Sequence, residues 1–286
     1  MATTHRNAAR AAARKLTSGI FTVLCGLATL IAIVALFLIL YSLFKQGIGG
    51  LNLDIFTMDT PAAGSEGGLR NVIVGSIEMC AAAMVMALVV GILAGTWLAE
   101  IGGDTAYGHV VRFLNDVLLS APSILVGLFV YQLLVAPLHG FSGWAGAVAL
   151  ALLATPIVTR TTEDILNLQQ NALREAGMAM GGSQFTTIRK IIWKAAGAGL
   201  LTGGLLGFAR ISGETAPLLF TALGNNFLDF DMGHRMGALP IAMYNFALTP
   251  YDDLNKLAWV AALLVAMAVL AINIIGRWMA RDTTQS

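Results

Sequence analysis

Charged residues are scarce in this chain of 286 residues. Only 12% of the residues are Asp, Glu, Lys or Arg, whereas 57% are hydrophobic. A soluble domain carries about 25% charged residues and does not bury this much apolar surface in one core. The scarcity of charge therefore excludes a soluble protein and indicates an integral membrane protein. The formal net charge of +1 gives no indication of nucleic-acid binding.

Cysteine is also scarce, and a nucleotide-binding loop is missing. Cys25 and Cys80 lie in apolar stretches without a CxxC spacing, which is typical of small hydrophobic residues rather than of a disulfide or a metal site. No segment matches the GxxxxGK[ST] pattern, whose backbone amides cradle the phosphates of ATP. We therefore expect no catalytic residues, no cofactor and no metal, and any ATP-driven work requires a separate ATPase.

Six apolar segments are predicted to cross the membrane as helices. They are residues 16–44, 72–98, 113–138, 144–158, 195–220 and 257–278. The first is too long for a signal peptide and no cleavage site follows it, so an uncleaved helix is expected. Pro122 predicts a kink or a new start within the third segment. The predicted fold is an all-α membrane protein with six transmembrane helices.

The basic residues are distributed unevenly between the two sides of the membrane. With six spans and a cytoplasmic N-terminus, 12 of the 17 Lys and Arg residues fall inside, 4 fall outside, and Arg210 lies within a span. This distribution follows the positive-inside rule. The predicted division is a basic N-terminus at 1–15, a permease domain at 16–281 with a cytoplasmic segment at 159–194, and a cytoplasmic tail at 282–286. The apolar piece 236–249 is too short to span and is expected on the interface or on the bundle.

The fifth span carries two charged residues on a face lined by glycine. At about 100° per residue, one stripe contains Gly199, Gly203, Gly207, Arg210 and Glu214. The glycines predict the close approach of another helix, and Gly91 and Gly95 predict a second close contact in the second span. We expect the two charged residues to face a partner subunit rather than lipid.

Arg210 and Glu214 are four residues apart and can pair with each other. An ion pair that only fixes packing is one interpretation. The other is a polar path, because the planar fork of an arginine suits an oxyanion and the carboxylate can hold that fork in place when no anion is bound. Glu78 in the second span is expected to be solvated at the membrane edge.

The polar segment 159–194 contains a recognisable pattern. Glu175-Ala176-Gly177, then Gly181 after three residues and Ile191 after nine more, resembles the EAA loop of ABC importer permeases. In that family a short helix before the glycine docks on the ATPase. The resemblance implies an ATPase-coupling role for Arg174, Glu175, Ala176, Gly177 and Gly181. An ordinary amphipathic connector is the alternative interpretation.

The chain also departs from this pattern. Gly177 replaces an alanine of the motif, and Trp193-Lys194 replaces the usual Leu-Pro that follows it. We expect these changes to alter the angle at which the chain leaves the coupling helix.

Three further stretches are similar to the PstA type of phosphate-transport permease, namely residues 122–131, 155–166 and 210–223. The resemblance extends from the first span to Arg277. It implies a type I, MetI-like ABC importer permease in a bacterial inner membrane. Its implied partners are a PstC-like permease, two copies of a PstB-like ATPase, a periplasmic phosphate-binding protein and phosphate itself. Arg210 and Glu214 would then line the substrate pathway.

Two other functions remain open from the sequence. A permease of the same architecture for sulfate or molybdate is one, and competition for uptake between the anions separates it from a phosphate permease. A secondary transporter or a membrane scaffold for signalling is the other. The matched repeats that are common in secondary transporters are not found in the sequence, and co-purification with an ATPase tests this alternative.

Overall fold

In the computed structural model of the protein, residues 2–282 are described, with side chains described for 14, 15, 17–276 and 278. Within these residues the chain is helical, without β-strands, and one isolated bridge joins Leu223 to Met236. In chain order the helices are α1 (Ala2–Gly49), α2 (Asp54–Thr57), α3 (Arg70–Trp97), α4 (Ala106–Ser120), α5 (Ser123–Val130), α6 (Ala136–Leu138), α7 (Gly143–Asn167), α8 (Asn171–Ala179), α9 (Gln184–Thr187), α10 (Trp193–Ala195), α11 (Gly197–Ile211), α12 (Ala216–Thr221), α13 (Leu239–Ala247) and α14 (Asp252–Asp282). Turns of π-helix lie at Leu98–Gly102, Tyr131–Val135 and Ile188–Ile192.

Some of the sequence-based expectations concern residues outside this description. They include the end of the tail, 283–286, and the side chains of Arg6, Arg10, Arg277 and Arg281, which entered the count of basic residues.

The apolar segments form helices, but two of them are sharply bent. Each of α1, α3, α7 and α14 is long and apolar enough to cross a membrane. The pairs Ala106–Ser120 with Ser123–Leu138 and Gln184–Ala195 with Gly197–Ile211 are bent by 106° and 74°, and each is either a broken span or a re-entrant loop. The all-α prediction is confirmed, with six spans if each bent pair is one span. A continuous fifth helix from 195 to 220 is wrong, because α11 ends at Ile211.

The central helix of the bundle is α7. It begins after Ser142, whose hydroxyl accepts a hydrogen bond from the Ala145 amide at 3.2 Å and caps the helix. Most of its apolar stretch is buried, and many of its side chains are as small as alanine. Small side chains let neighbouring helices approach closely. Both α3 and α11 pack on α7 in this way.

α7 continues further than the sequence indicated. Residues 159–167, the start of the predicted cytoplasmic segment, continue α7, and Thr159, Thr162 and Glu163 are buried. The hydroxyl of Thr161 donates to the Ile157 carbonyl at 2.8 Å, as threonine does within helices. Arg160 and Asp164 on the same stretch are exposed, so only one side of it is buried.

The third apolar segment breaks at Pro122. Ala121 is extended, with ψ of 134°, because a residue before proline is disfavoured in the α conformation. The chain then turns back as α5, which packs on α12. A Cβ atom on Gly127 would lie 2.6 Å from the Cα of Pro217, so glycine is required at this contact. The two broken segments therefore meet each other next to the first half of α7.

The apolar piece 236–249 lies on the bundle. Its helix, α13, buries Leu239, Ala242 and Phe246 in one hydrophobic cluster with Leu69 and Val260. This helix is too short to cross a membrane. It buries its apolar side chains by packing against α3 and α14 instead.

The first helix is largely separate from the bundle. Every side chain from residue 17 to residue 41 is exposed. Contact with α14 occurs at the end of α1, where a Cβ atom on Gly47 would lie 2.8 Å from the Leu263 Cβ, and just beyond it Gly50 lies against Val260.

Candidate functional site

Arg210 and Glu214 lie where the fifth apolar segment breaks. Arg210 is in the last turn of α11, whereas Glu214 is in the non-helical link before α12. The expectation that both residues belong to one helical stripe is therefore wrong for Glu214. Pro217 gives a local reason, because proline lacks the backbone N–H that a continuing helix needs and is tolerated only in a first turn.

The two side chains nevertheless form an ion pair, between Nη1 of Arg210 and Oε1 of Glu214. Their exposure is unequal, since the side chain of Arg210 is 47% exposed and that of Glu214 is 9% exposed. The carboxylate is thus held inside the chain, and the guanidinium faces outward from it. Several of the five N–H donors of the guanidinium remain available to another group.

The contacts of α11 and α12 give the depth of this pair. The two helices run along α7 in the opposite direction, and their contacts pair Gly199 with Ile165, Gly203 with Thr161, Gly207 with Val158, and Leu218 with Gly146. Arg210 and Glu214 lie between the last two of these contacts. They are therefore level with the middle of the apolar stretch of α7.

The glycine face of α11 is used inside the chain. Gly203 and Gly207 are buried against Thr161 and Val158, where a Cβ atom would approach side-chain atoms to 3.0 and 3.1 Å. The close helix contact expected from Gly199, Gly203 and Gly207 is thus made with α7. The head of Arg210 is half-exposed beside this contact, so the expectation that the charged residues face a partner subunit stays a prediction.

A tighter contact joins α3 to α7. A Cβ atom on Gly91 would lie 2.7 Å from the Val158 Cβ, and one on Gly95 would lie 2.5 Å from the Thr159 carbonyl oxygen. The second of these neighbours is backbone and cannot move aside. Glycine at both positions therefore sets the distance between the two helices.

The segment expected to dock on the ATPase, residues 171–195 (hereafter the coupling segment), is a small helical unit built around two glycines. Gly177, in α8, is buried against α9 and the following turn, where a Cβ atom would lie 2.5 Å from Thr187 Cγ2 and 2.9 Å from Ile191 Cδ1. Gly181 follows α8 with φ of 83°, in the left-handed region that favours glycine. Gly177 permits the close packing of this unit, and Gly181 permits its turn.

Replacing Gly181 with alanine is expected to destabilise this turn by about 1 kcal/mol, because an L-residue is strained in the left-handed region. No atom lies within 4 Å of a Cβ atom built there, so the effect is one of strain and not of collision. Gly181→Asn should cost less, since asparagine tolerates this conformation. Hydrogen exchange of residues 171–195 measures both, and equal protection in the two variants would contradict the explanation.

Arg174 is directed into the chain. Its side chain is 19% exposed, and that of Glu100 is 5% exposed. Nε and Nη2 of Arg174 donate to the Glu100 carboxylate at 2.7 to 3.2 Å. This carboxylate raises the pKa of the Arg174 guanidinium above its usual range. The sequence placed Arg174 among the ATPase-coupling residues, and in the structure its head group contacts its own chain.

Other residues of the unit form an exposed surface. Glu175 and Ala176 are exposed on α8. Beside them, Met178, Met180 and Phe185 are 50%, 87% and 70% exposed. Large apolar side chains this exposed on one short unit are typical of a protein–protein contact.

The exit from the coupling segment is sharply bent. Trp193 donates from Nε1 to the Thr96 hydroxyl at 3.1 Å, which fixes the end of the segment to α3. The chain then bends by 74° before Gly197. Trp193, noted in the sequence only as a departure from the family pattern, thus anchors this bend.

Buried ion pairs at this end of the bundle were missed in the sequence. Arg112 donates from Nε to Glu163 at 2.6 Å, with the Glu163 side chain 7% exposed. In the sequence, Glu100 and Arg112 lie between the second and third predicted spans. The sequence does show opposite charges at the ends of neighbouring spans, which indicates that ion pairs can form there. It does not show which residues pair. Glu78 was expected to be solvated, yet its Oε2 is buried without a hydrogen-bond partner among the described residues.

Loops close the opposite end of the bundle. Asp59 accepts hydrogen bonds from Arg70 Nε at 2.9 Å and from the Leu228 amide at 3.0 Å. The Arg70 guanidinium lowers the pKa of Asp59 below its usual range.

An open cavity of about 700 Å³ lies beside the 222–238 loop and is lined by His234 and Arg235, among others. The described residues contain no group of three or more His, Cys, Asp or Glu that could hold a metal ion.

Sequence comparisons place the chain among known permeases. The family described as "binding-protein-dependent transport system inner membrane component" matches residues 87–285. The phosphate transport system permease protein PstA of Haemophilus influenzae is 50% identical over 255 residues, which are 88% of this chain and 90% of that protein. PstA of Pasteurella multocida is 48% identical over 264 residues, 92% of this chain and 94% of that protein. A probable PstA of Methanocaldococcus jannaschii is 36% identical over 270 residues, 94% of this chain and 95% of that protein.

The fold is similar to that of solved ABC transporters. A chain of the MetNI methionine ABC transporter, in an inward-facing conformation, matches with a TM-score of 0.60 and 20% identity, covering 74% of this chain and 96% of that chain. At this level of identity the likeness concerns the fold, and it confirms the predicted MetI-like architecture. The chain belongs to the inner membrane components of binding-protein-dependent transport systems and, among them, to the PstA permeases.

Proposed function

We propose that this chain is the PstA-type permease subunit of an ATP-driven phosphate importer. The observation that carries the proposal is the outward-facing Arg210, paired with a buried Glu214 at the level of the middle of α7. The PstA relatives support phosphate as the substrate, and the MetI-like fold supports the ABC importer architecture.

The position of Arg210 restricts what can lie next to it. Its side chain is 47% exposed on this chain, at a depth where an arginine facing hydrocarbon costs about 2.5 to 3.5 kcal/mol on insertion scales. That cost is avoided if the guanidinium faces a water-filled cavity shared with a partner permease. Such a cavity is also where an anion must pass.

Arginine suits the chemistry of phosphate transfer through this cavity. Its fork donates two parallel charge-assisted hydrogen bonds to an oxyanion. Glu214 holds the same fork when no anion is present, so the anion competes with a carboxylate for the guanidinium. This competition weakens the binding of phosphate and allows it to leave, as transport requires.

The coupling segment supplies a place for the ATPase. The exposed surface of Glu175, Met178, Met180 and Phe185 is apolar with one acidic residue, and the chain has no phosphate-binding loop of its own. Two PstB-like ATPase subunits would hydrolyse ATP, and this chain would have no enzymatic activity. ATP-driven closure of the ATPase would move the coupling segment and alternate the access to Arg210.

The proposed orientation follows from the distribution of Lys and Arg, and the other proposed partners follow from the PstA family. The uneven distribution of Lys and Arg favours cytoplasmic N- and C-termini in a bacterial inner membrane. A PstC-like permease would form the other half of the cavity. A periplasmic phosphate-binding protein would deliver phosphate to the end opposite the coupling segment.

Reconstitution tests this function. The chain is co-expressed with a PstC-like permease and a PstB-like ATPase, and proteoliposomes are supplied with the binding protein, ATP and radiolabelled phosphate. We expect ATP-dependent uptake that unlabelled phosphate inhibits and that sulfate and molybdate do not. Inhibition by sulfate or molybdate at equal concentration would identify another oxyanion, and uptake without an associated ATPase would identify a secondary transporter.

Replacing Met180 with glutamate is expected to weaken ATPase association about tenfold, since a charge at an apolar contact adds a desolvation cost near 1.4 kcal/mol. Met180 is 87% exposed, so the fold of the permease should not change. Leu168→Glu is a matched control, because Leu168 is 79% exposed but lies between α7 and α8, before the docking surface. Pull-down of the ATPase measures both, and equal binding by wild type and Met180→Glu would argue against docking here.

A further inference from the structure

Arg174 uses all of its hydrogen-bond donors within the chain. Nε and Nη2 donate to the Glu100 carboxylate, and Nη2 also donates to the Leu166 carbonyl at 2.8 Å. Nη1 donates to the Gln169 carbonyl at 2.7 Å and to the Asn171 side chain at 3.3 Å. A guanidinium has five N–H donors, so none remains for another protein.

These contacts join three parts of the fold. Glu100 lies in the π-helical turn that ends the α3 span, and the Leu166 and Gln169 carbonyls lie at the end of α7. Arg174 itself belongs to α8, the coupling helix. A cation that donates to carbonyls at a helix C-terminus also interacts favourably with the helix dipole. One side chain therefore links the coupling helix to the two helices that pack most closely in the bundle.

A second contact runs in parallel with the first. Gln184, at the start of α9, donates from Nε2 to the Glu100 carbonyl at 3.3 Å. Both short helices of the coupling segment are thus tied to the same residue of the α3 end. Because Glu100 is 5% exposed, its carboxylate has no access to solvent that could replace Arg174.

The linked helices lead to Arg210. α7 contacts α11 through Gly199, Gly203 and Gly207, and Arg210 lies in the last turn of α11. Arg174 therefore connects α8 to α7, and α7 in turn contacts the helix that carries Arg210. Contact by packing and hydrogen bonds is the physical means by which such coupling is carried.

We propose that Arg174 is a positioning residue, which transmits the movement of the coupling helix to α3 and α7 through Glu100 and the Leu166 and Gln169 carbonyls and does not contact the ATPase. This inference rests on the proposed function for the identity of the ATPase. A positioning role and a docking role predict different effects of a substitution at Arg174. Loss of a docking residue prevents association, whereas loss of a positioning residue leaves the complex assembled but poorly coupled.

The test measures the phosphate imported per ATP hydrolysed by the complete complex in proteoliposomes. For Arg174→Gln we expect the ATPase to remain bound and this ratio to fall about tenfold, as for the loss of a charge-assisted hydrogen bond. Arg174→Lys should lie between wild type and Arg174→Gln, because lysine can reach Glu100 but lacks the fork that also serves two carbonyls. Glu100→Gln should lower the ratio less than Arg174→Gln, since Arg174 keeps its carbonyl acceptors.

Arg189→Gln is the matched control, because Arg189 is an exposed arginine of the same segment without an ion pair among the described residues. Its ratio should equal that of the wild type. A similar fall in Arg189→Gln would assign the effect to the charge of the segment and overturn the proposal. Loss of ATPase binding by Arg174→Gln would overturn it in favour of direct docking, and so would an unchanged ratio in an assembled Arg174→Gln complex.

Hydrogen exchange separates this inference from the proposed function. In the same complexes, the amides of residues 171–187 should exchange faster in Arg174→Gln than in Arg189→Gln, because α8 has lost its attachment to α7. This readout does not depend on phosphate. If the wild-type complex imports no phosphate, the proposed function fails, but hydrogen exchange still shows whether Arg174 attaches α8 to α7. Unchanged exchange in Arg174→Gln would refute that attachment.

Discussion

Replacing Arg210 with glutamine is expected to lower phosphate uptake about 100-fold, since two charge-assisted hydrogen bonds to the anion, each worth about 1.5 kcal/mol, are lost. ATPase association should be unaffected, because the coupling segment lies at the far end of α11. Uptake by reconstituted complexes measures the effect. Arg210→Lys should restore only part of the rate, because an ammonium group lacks the planar fork.

The exposure of the pair determines the proper control for this experiment. Glu214 is 9% exposed, so Arg210→Gln leaves a buried carboxylate without its partner, which is itself destabilising. The double variant Arg210→Gln/Glu214→Gln removes both charges and should restore stability while phosphate uptake stays low.

If the complex with Arg210→Gln assembles and imports phosphate at the native rate, the ion pair serves only in packing. Glu214→Gln alone should also slow turnover, because nothing then competes with the anion for Arg210.

The second large effect is expected at Gly95. Gly95→Val should destabilise the chain by about 3 kcal/mol, because overpacking of a close contact forces backbone shifts. A Cβ atom there would lie 2.5 Å from the Thr159 carbonyl oxygen and 2.7 Å from the Thr162 Cβ. Thermal unfolding of the purified permease measures the change, and it should be accompanied by a lower yield.

Gly26 provides the matched control for this substitution. It lies in the apolar helix α1, and no atom of the chain lies within 4 Å of a Cβ atom built there. Gly26→Val should therefore leave the unfolding temperature nearly unchanged. Equal unfolding temperatures for Gly95→Val and Gly26→Val would mean that the contact between α3 and α7 does not limit stability.

Much of the membrane architecture could be predicted from the sequence, because apolar runs and proline act locally. The break at Pro122 was expected, but its bend of 106° was not, since the angle depends on the packing of α5 against α12. The glycine spacing predicted two close helix contacts. It could not identify α7 as the neighbour in both, because small residues permit an approach without specifying the helix that approaches.

The site was predictable to a similar extent. Arg210 and Glu214 were expected to pair because they are four residues apart, and they do, although the helix ends between them. Glu100 and Arg174 are 74 residues apart, so only the fold brings them together. The burial within residues 159–167 could not be predicted, because threonine and charged residues are usually solvated, whereas in α7 the Thr161 hydroxyl donates to the Ile157 carbonyl and Glu163 pairs with Arg112.

The separation of α1 from the bundle has a consequence for biosynthesis. α1 leaves the ribosome well before α14, against which its C-terminal end packs. During translation α1 therefore lacks this contact until α14 has been synthesised. The contact between α1 and α14 thus forms late, and a truncated chain that lacks α14 leaves α1 without it.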